Sequence, residues 1–171
     1  MGRSIFVNWT EFAAAAPELA EFGQDRINST RLVTLGTIRA DGWPRVSPCE
    51  AYVVDGELLL GMMWQSKKAL DLLRDPRITV ATVQADREPV YGDLKLYGFA
   101  VDVPDPGHRQ AYADTVFAAI NWRPSEPYHL FSVDIARAGF ISFGENQKLM
   151  RWSVGGGVEV MRHPDAAKDE A

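Results

Sequence analysis

Arg45, Gln65, Ser66, Lys67 and Lys68 are the residues whose types and spacing could do chemistry first. Ser66 is a good N-cap, and Asp75-Pro76 ends the helix it opens two turns later. Two lysines in a first helical turn oppose the partial positive charge of the helix N-terminus, so they cost stability unless an anion joins them. Free N–H groups at such a terminus, flanked by ammonium groups, make a phosphate site. The alternative is two flexible lysines pointing into solvent. Upstream, Arg45, Ser47, Cys49 and Ala51 fall on one face of a strand, with Val46, Pro48, Glu50 and Tyr52 on the other. The first face is small and ends in an arginine, so a flat ring could lie on it with its anion at Arg45. Pro48 removes one ladder donor, which leaves this strand irregular or unpaired on one side.

Other chemistries find little support. There is no G-x-S-x-G and no H-E-x-x-H, and Cys49, the one cysteine, reads as a small buried filler inside a strand. Asp105, Asp134 and Glu50 form no evident carboxylate pair. His108, His129 and His163 are too scattered for a metal cluster, although one of them could ligate a haem. Gly155–Gly157 reads as a loose turn. Of the tryptophans, Trp64 and Trp152 suit a planar ligand, Trp9 and Trp122 suit core or interface, and Trp43 sits in a hairpin turn. A catalyst lacking a strong acid, base or nucleophile borrows its chemistry from a cofactor. A flavin needs a phosphate site, polar backbone along the ring edge and an open ring face, and Arg45–Glu50 with Gln65–Lys68 supplies those parts.

The elements that must position these residues follow from periodicity. Asn8 to Phe22 reads as an amphipathic helix kinked or restarted near Pro17. From Arg31 the period becomes that of strands: 31–39, then 44–54 after the Asp41-Gly42 turn, then 57–62 after Asp55-Gly56. Further strands are expected at 77–82, 93–103, 128–135 and 139–143, with a final hairpin from 147–154 and 158–162. A helix is expected at 108–120, with Tyr112, Val116, Phe117 and Ile120 on one stripe. Polar connection is expected at 84–89. The expected architecture is mainly β with peripheral helices, a barrel of antiparallel strands. One domain over 1–163 and a flexible tail over 164–171 are expected.

The 171 residues carry a formal net charge of −5, which argues against general nucleic-acid binding. No run is long and apolar enough to suggest a membrane helix, and no signal-peptide pattern opens the chain, so a cytoplasmic location is expected.

The run TLGTIRADGWPRVSPCEAYVVDGELLLGM followed by SKKALDLLRDPRITV resembles the pyridoxamine 5′-phosphate oxidase-like family of FMN-binding split β-barrels, which includes flavin- and deazaflavin-dependent oxidoreductases. The resemblance is strongest over Leu32–Val83 and continues weakly through LKLYGFAVDV to YHLFSVDIARAGFISFG. It implies that Arg45 lies near an FMN phosphate and that Val46, Ser47, Pro48, Cys49 and Glu50 line the isoalloxazine through their backbone. It also implies ring and ribityl contacts from Gly61 and Met62, phosphate contacts from Lys67 and Lys68, and a late aromatic contact on the flavin from Trp152 of the second subunit. A homodimer with cofactor sites between its subunits is implied as well. The Asp93 region lacks the glutamine that the family carries there. The resemblance therefore implies a flavin oxidoreductase acting on a small molecule other than vitamin B6 phosphate. FMN and the deazaflavin coenzyme (F-420 type) both remain open, the latter wanting basic residues such as Arg87 and Lys95 for its acidic tail. Two alternatives stand beside this: a haem-binding or haem-degrading split barrel using His129 or His108, and a non-catalytic flavin carrier.

Overall fold

A computed structural model describes residues 5–84, 92–145 and 147–164. The expected connection at 84–89 therefore falls, apart from Gln84, outside the described residues. So do Arg87 and the tail beyond Pro164.

The chain opens with two helices. In α1, Trp9–Ala15, Asn8 and Glu11 form a reciprocal capping box. Pro17 then starts α2, Pro17–Thr30, because its fixed φ suits a first helical position and its missing N–H costs nothing there. The restart at Pro17 was legible, but the second helix runs eight residues beyond Phe22, to Thr30. Leu19, Ala20, Gly23 and Ile27 keep its buried stripe going.

Strands β1 (Leu32–Ile38), β2 (Pro44–Val54), β3 (Glu57–Met63), β4 (Arg77–Thr82), β5 (Asp93–Asp102) and β6 (Tyr128–Ser142) form an antiparallel sheet in the order β3-β2-β1-β4-β5-β6. Pairing of β3 with β6 closes it into a six-stranded barrel. Strands β7 (Lys148–Ser153) and β8 (Gly157–Met161) extend the sheet beyond β6 as a hairpin. The two strands expected at 128–135 and 139–143 are one strand. At the register shift Tyr97 opposes Arg137 and Gly98 opposes Ile135, leaving Ala136 as a bulge that bends β6 without ending it. Gly98 belongs at this bend, since a Cβ there would lie 1.9 Å from the carbonyl oxygen of Asp134.

Alternation divides β2, β3 and β6 between two cores. Inward-facing Val33, Leu35, Ala51, Leu58, Leu60, Phe131 and Val133 fill the barrel together with Phe12, Leu19 and Ile27 of the first two helices. Outward-facing Tyr52, Leu59 and Leu130 pack against Tyr112 and Val116 of α4, Pro106–Ile120. Helix α3, Lys67–Arg74, contributes Ala69 and Leu72 to the barrel core. No helix among the described residues is long and apolar enough to cross a membrane, which says nothing of membrane β-barrels.

One buried carboxylate ties α3 to the sheet. Asp71, 5% exposed at its side chain, accepts 2.9 Å from Thr37 Oγ1 on β1 and 2.6 Å from Arg45 Nε on β2, with Arg74 nearby. Burial pushes its carboxyl up, but the hydrogen bonds from Arg45 and Thr37 and the charges of Arg45 and Arg74 win, so it titrates below the usual carboxylate range. Removing one partner of a buried pair costs about 3–5 kcal/mol, and the lower end applies here because water still reaches Arg45. Asp71→Asn should therefore lower stability by about 3 kcal/mol at pH 7. Because the folded value is depressed, the difference should be full above about pH 4 and shrink as pH falls through the native value. Chemical denaturation of both proteins from pH 7 to pH 3 checks this.

Candidate functional site

The pairing of β2 is one-sided over much of its length. Residues 44–50 pair with β1, but pairing with β3 begins only at Glu50–Gly61 and runs to Val54–Glu57. Beyond Gly61, β3 keeps only its pairing with β6, where Met62 opposes His129 and Met63 opposes Tyr128. Pro48 thus lies on an open edge, where its missing N–H leaves no donor unpaired. Its carbonyl faces away from β1, because it accepts a 2.5 Å hydrogen bond from Lys68 Nζ. Alternation turns the N–H and C=O of Val46 to the same open side.

Beside this edge lies a cavity of about 490 Å³ on the outer surface of the barrel. Pro48, Glu50, Gly61 and Trp64 form one wall with Lys68 at the start of α3. Tyr112 of α4 and the 121–127 loop, through Trp122 and Pro127, form the other. The volume falls within the range of small-molecule sites, about 300–1,000 Å³. Gly61 lets the two walls meet. A Cβ there would come within 2.1 Å of the Tyr112 hydroxyl.

The expected site residues divide into three groups. Pro48, Cys49, Glu50, Gly61, Met62 and Lys68 line the cavity. Val46 lies along its open edge, and Gln65, Ser66 and Lys67 lie beside Lys68 without lining it. Ser66 occupies the N-cap position, but its Oγ makes no capping hydrogen bond and finds no partner among the described residues. Lys67 is exposed.

Arg45, Ser47 and Trp152 are placed elsewhere. The small-residue face of β2 turns into the barrel: Cys49 is 3% exposed, Ala51 is fully buried, and Arg45 at its end is bound to Asp71. A ring cannot lie on that face. The face that looks onto the cavity is the one carrying Pro48 and Glu50. Trp152 is 3% exposed and packs edge-on against Phe12 with ring centroids 5.0 Å apart. It belongs to the core and does not line the cavity. Cys49 donates to the Gly61 carbonyl at 3.3 Å, and burial, partly offset by Lys68, pushes its thiol up to about 11, so it is protonated and inert near neutrality.

Leu32, Met63, Tyr112, Trp122, Pro124, Ser125, Pro127 and Tyr128 line the cavity without having been singled out as site residues. Tyr112 was visible only as part of an apolar helix stripe. Nothing local indicates that the chain after α4 folds back over β3; the prolines at 124 and 127 mark a loop but not its path. Trp64 stacks on His129 with centroids 4.6 Å apart and planes 12° from parallel. His129 is 6% exposed, and its Nε2 has no hydrogen-bond partner among the described residues. His108 is exposed in the first turn of α4, and neither it nor Lys95, which pairs with Asp93, lines the cavity. Among the described residues no group of three His, Cys, Asp or Glu side chains could hold a metal ion.

Gly61→Ala should force Tyr112 out of place and cost about 1–3 kcal/mol by overpacking. Adding Tyr112→Phe, which removes the nearest atom, should restore part of that loss. Thermal melts of the two single variants and the double variant measure the coupling.

The chain matches the family described as pyridoxamine 5′-phosphate oxidase over residues 19–142. No curated protein matches it. Among solved structures it is similar to a haem binding protein from Mycobacterium smegmatis, with 21% identity, a TM-score of 0.61, and coverage of 77% of this chain and 57% of that one. A protein from Clostridium acetobutylicum related to general stress protein 26 and described as of the pyridoxinephosphate oxidase family gives 16%, 0.60, 85% and 96%. PhzG from Burkholderia lata, in complex with tetrahydrophenazine-1-carboxylic acid, gives 11%, 0.60, 91% and 92%. At such identities these likenesses concern the fold, whereas the family match spans most of the chain: it belongs to the pyridoxamine 5′-phosphate oxidase family of split β-barrels.

Proposed function

We propose that this chain binds a flavin-type cofactor, FMN or the deazaflavin coenzyme, in the cavity beside β2 and acts as an oxidoreductase on a small molecule. One observation carries the reading. The unpaired edge of β2, with the Val46 N–H and C=O and the Pro48 C=O turned outward, runs along a cavity that has the Lys68 ammonium and the start of α3 at the same edge. A planar ring with donors and acceptors along its rim can continue the sheet there, and its phosphate can join Lys68 and the first-turn N–H groups. The family supports the same reading.

When bound, the cofactor supplies the electron-accepting ring. The protein's part is to hold the ring edge with β2, neutralise the phosphate with Lys68 and limit water access with Tyr112 and Trp122. Arg45 takes a supporting part: tied to Asp71, it fixes α3 and with it the orientation of Lys68. A homodimer belongs to this proposal. Val46, Met63, Trp64 and Trp122 are all exposed on or beside the cavity, an apolar surface that a second subunit would cover. FMN is preferred over the deazaflavin coenzyme, because Lys95 is paired on β5 and, among the described residues, no cationic residue other than Lys68 lines the cavity.

His129 favours a second reading. Its unpartnered Nε2 lies under Trp64, which lines the cavity, so displacement of Trp64 would offer an imidazole ligand to a haem iron. The similarity to a haem binding protein agrees with that possibility. The visible spectrum of purified protein separates the readings. Flavin or deazaflavin absorbance supports the first, and a Soret band that His129→Ala abolishes supports the second. Turnover with reduced nicotinamide then distinguishes an enzyme from a carrier.

The lysines should differ. Lys68→Ala should weaken FMN binding by about 10- to 100-fold, the worth of a charge-assisted contact. Lys67→Ala, losing an exposed charge, should change it by less than about threefold. Without cofactor, Lys67→Ala should stabilise the protein by about 0.3–1 kcal/mol by relieving repulsion from the helix dipole. Lys68→Ala should gain less, because it also loses the contact to Pro48. Calorimetric titration and melting curves measure both; unchanged affinity in Lys68→Ala removes the phosphate from this helix.

A further inference from the structure

The cavity has a second charged wall residue that the cofactor reading leaves unused. Glu50 pairs through its backbone with Gly61 and turns its side chain outward, where it is half-buried at the cavity. Its carboxylate makes no ion pair or hydrogen bond among the described residues. Lys68, the other charged lining residue, directs its amine to the Pro48 carbonyl and not to Glu50. The cationic groups nearby are committed elsewhere. The Arg31 guanidinium bonds Asn28 and lies over the Tyr52 ring, and Arg109 binds Glu126 behind Tyr128.

The remaining wall is aromatic. Trp122 and Trp64, each about half exposed, line the cavity, and Tyr112 and Tyr128 line it as largely buried rings. An unpartnered carboxylate among aromatic rings suits a cation: the charge meets the carboxylate, and the ring faces attract it further. The same setting repels a second anion, because among the described residues Lys68 offers the one ammonium at the cavity and the cofactor phosphate competes for it.

We infer that the substrate half of this cavity selects a planar aromatic or apolar molecule bearing an amine or other cationic group, held by Glu50, and rejects anionic analogues. The inference rests on the cavity serving as the small-molecule site proposed above, but not on which cofactor sits beside β2.

Three probes of one shape test it: 1-naphthylmethylamine, 1-naphthalenemethanol and 1-naphthoate. Binding to wild-type protein and to Glu50→Gln is followed by quenching of tryptophan fluorescence, with and without saturating FMN, at 50 mM and 500 mM salt. The amine should bind about tenfold tighter than the alcohol in wild type, the carboxylate weakest, and the preference should weaken at high salt. In Glu50→Gln the amine and alcohol should bind within about twofold of each other. Equal or tighter binding of the carboxylate, absence of binding by all three, or an amine preference that survives Glu50→Gln overturns the inference. The FMN titration in the same samples reports separately on the cofactor: amine selectivity without FMN binding contradicts the flavin reading and leaves this one standing.

Discussion

The structure depends on where β3 leaves β2. From Val54–Glu57 to Glu50–Gly61 the two strands pair; past Gly61, β3 pairs with β6 alone and β2 with β1 alone. A closed barrel whose strands part at one corner must leave backbone groups unpaired there. Two residues make the parting tolerable. Pro48 has no N–H to leave unsatisfied, and Gly61 has no side chain to keep Tyr112 away. Lys68 meets the Pro48 carbonyl, one of those that the split leaves on the open edge. The Asp71 cluster holds α3 against β1 and β2, so the lysine and the open edge keep a fixed relation.

This arrangement explains why one short stretch carries so much of the site. Residues 48–50, 61–64 and 68 come from consecutive elements joined by tight turns, and the turns alone bring them together. The opposite wall comes from α4 and the loop after it, more than forty residues away, and depends on the Tyr52, Tyr112 and Tyr128 cluster for its position. The first wall offers polar backbone and charge, the second aromatic surface. A cofactor rim suits the β2 edge, and a substrate suits the space between Glu50 and the second wall.

What was legible in the sequence follows the same division. Alternation and turn chemistry located seven of the eight strands among the described residues within a few residues, because Asp41-Gly42 and Asp55-Gly56 fix hairpins locally. Length and turn signals could not reveal that a bulge at Ala136 joins two expected strands into one. Alternation also separated Arg45, Ser47, Cys49 and Ala51 from Val46, Pro48, Glu50 and Tyr52, but it could not say which set faces inward. The small residues drew attention as a seat for a ring, yet small side chains also suit a barrel interior, and here they fill it. Trp152 was hidden for a related reason: an aromatic near the end of a chain looks alike whether it meets a ligand or Phe12. Lys67 and Lys68, equal by spacing, differ because only the second reaches the β2 edge.

The central claim is that the unpaired edge of β2 receives the rim of a planar cofactor, and the amide of Val46 reports on it directly. Hydrogen–deuterium exchange of that N–H, with and without saturating FMN, tests the claim at a single site. The account predicts that Val46 exchanges readily in free protein and becomes protected when FMN binds, while the amide of Ser47, facing β1, changes little. FMN binding that leaves Val46 unprotected and protects amides elsewhere would contradict it.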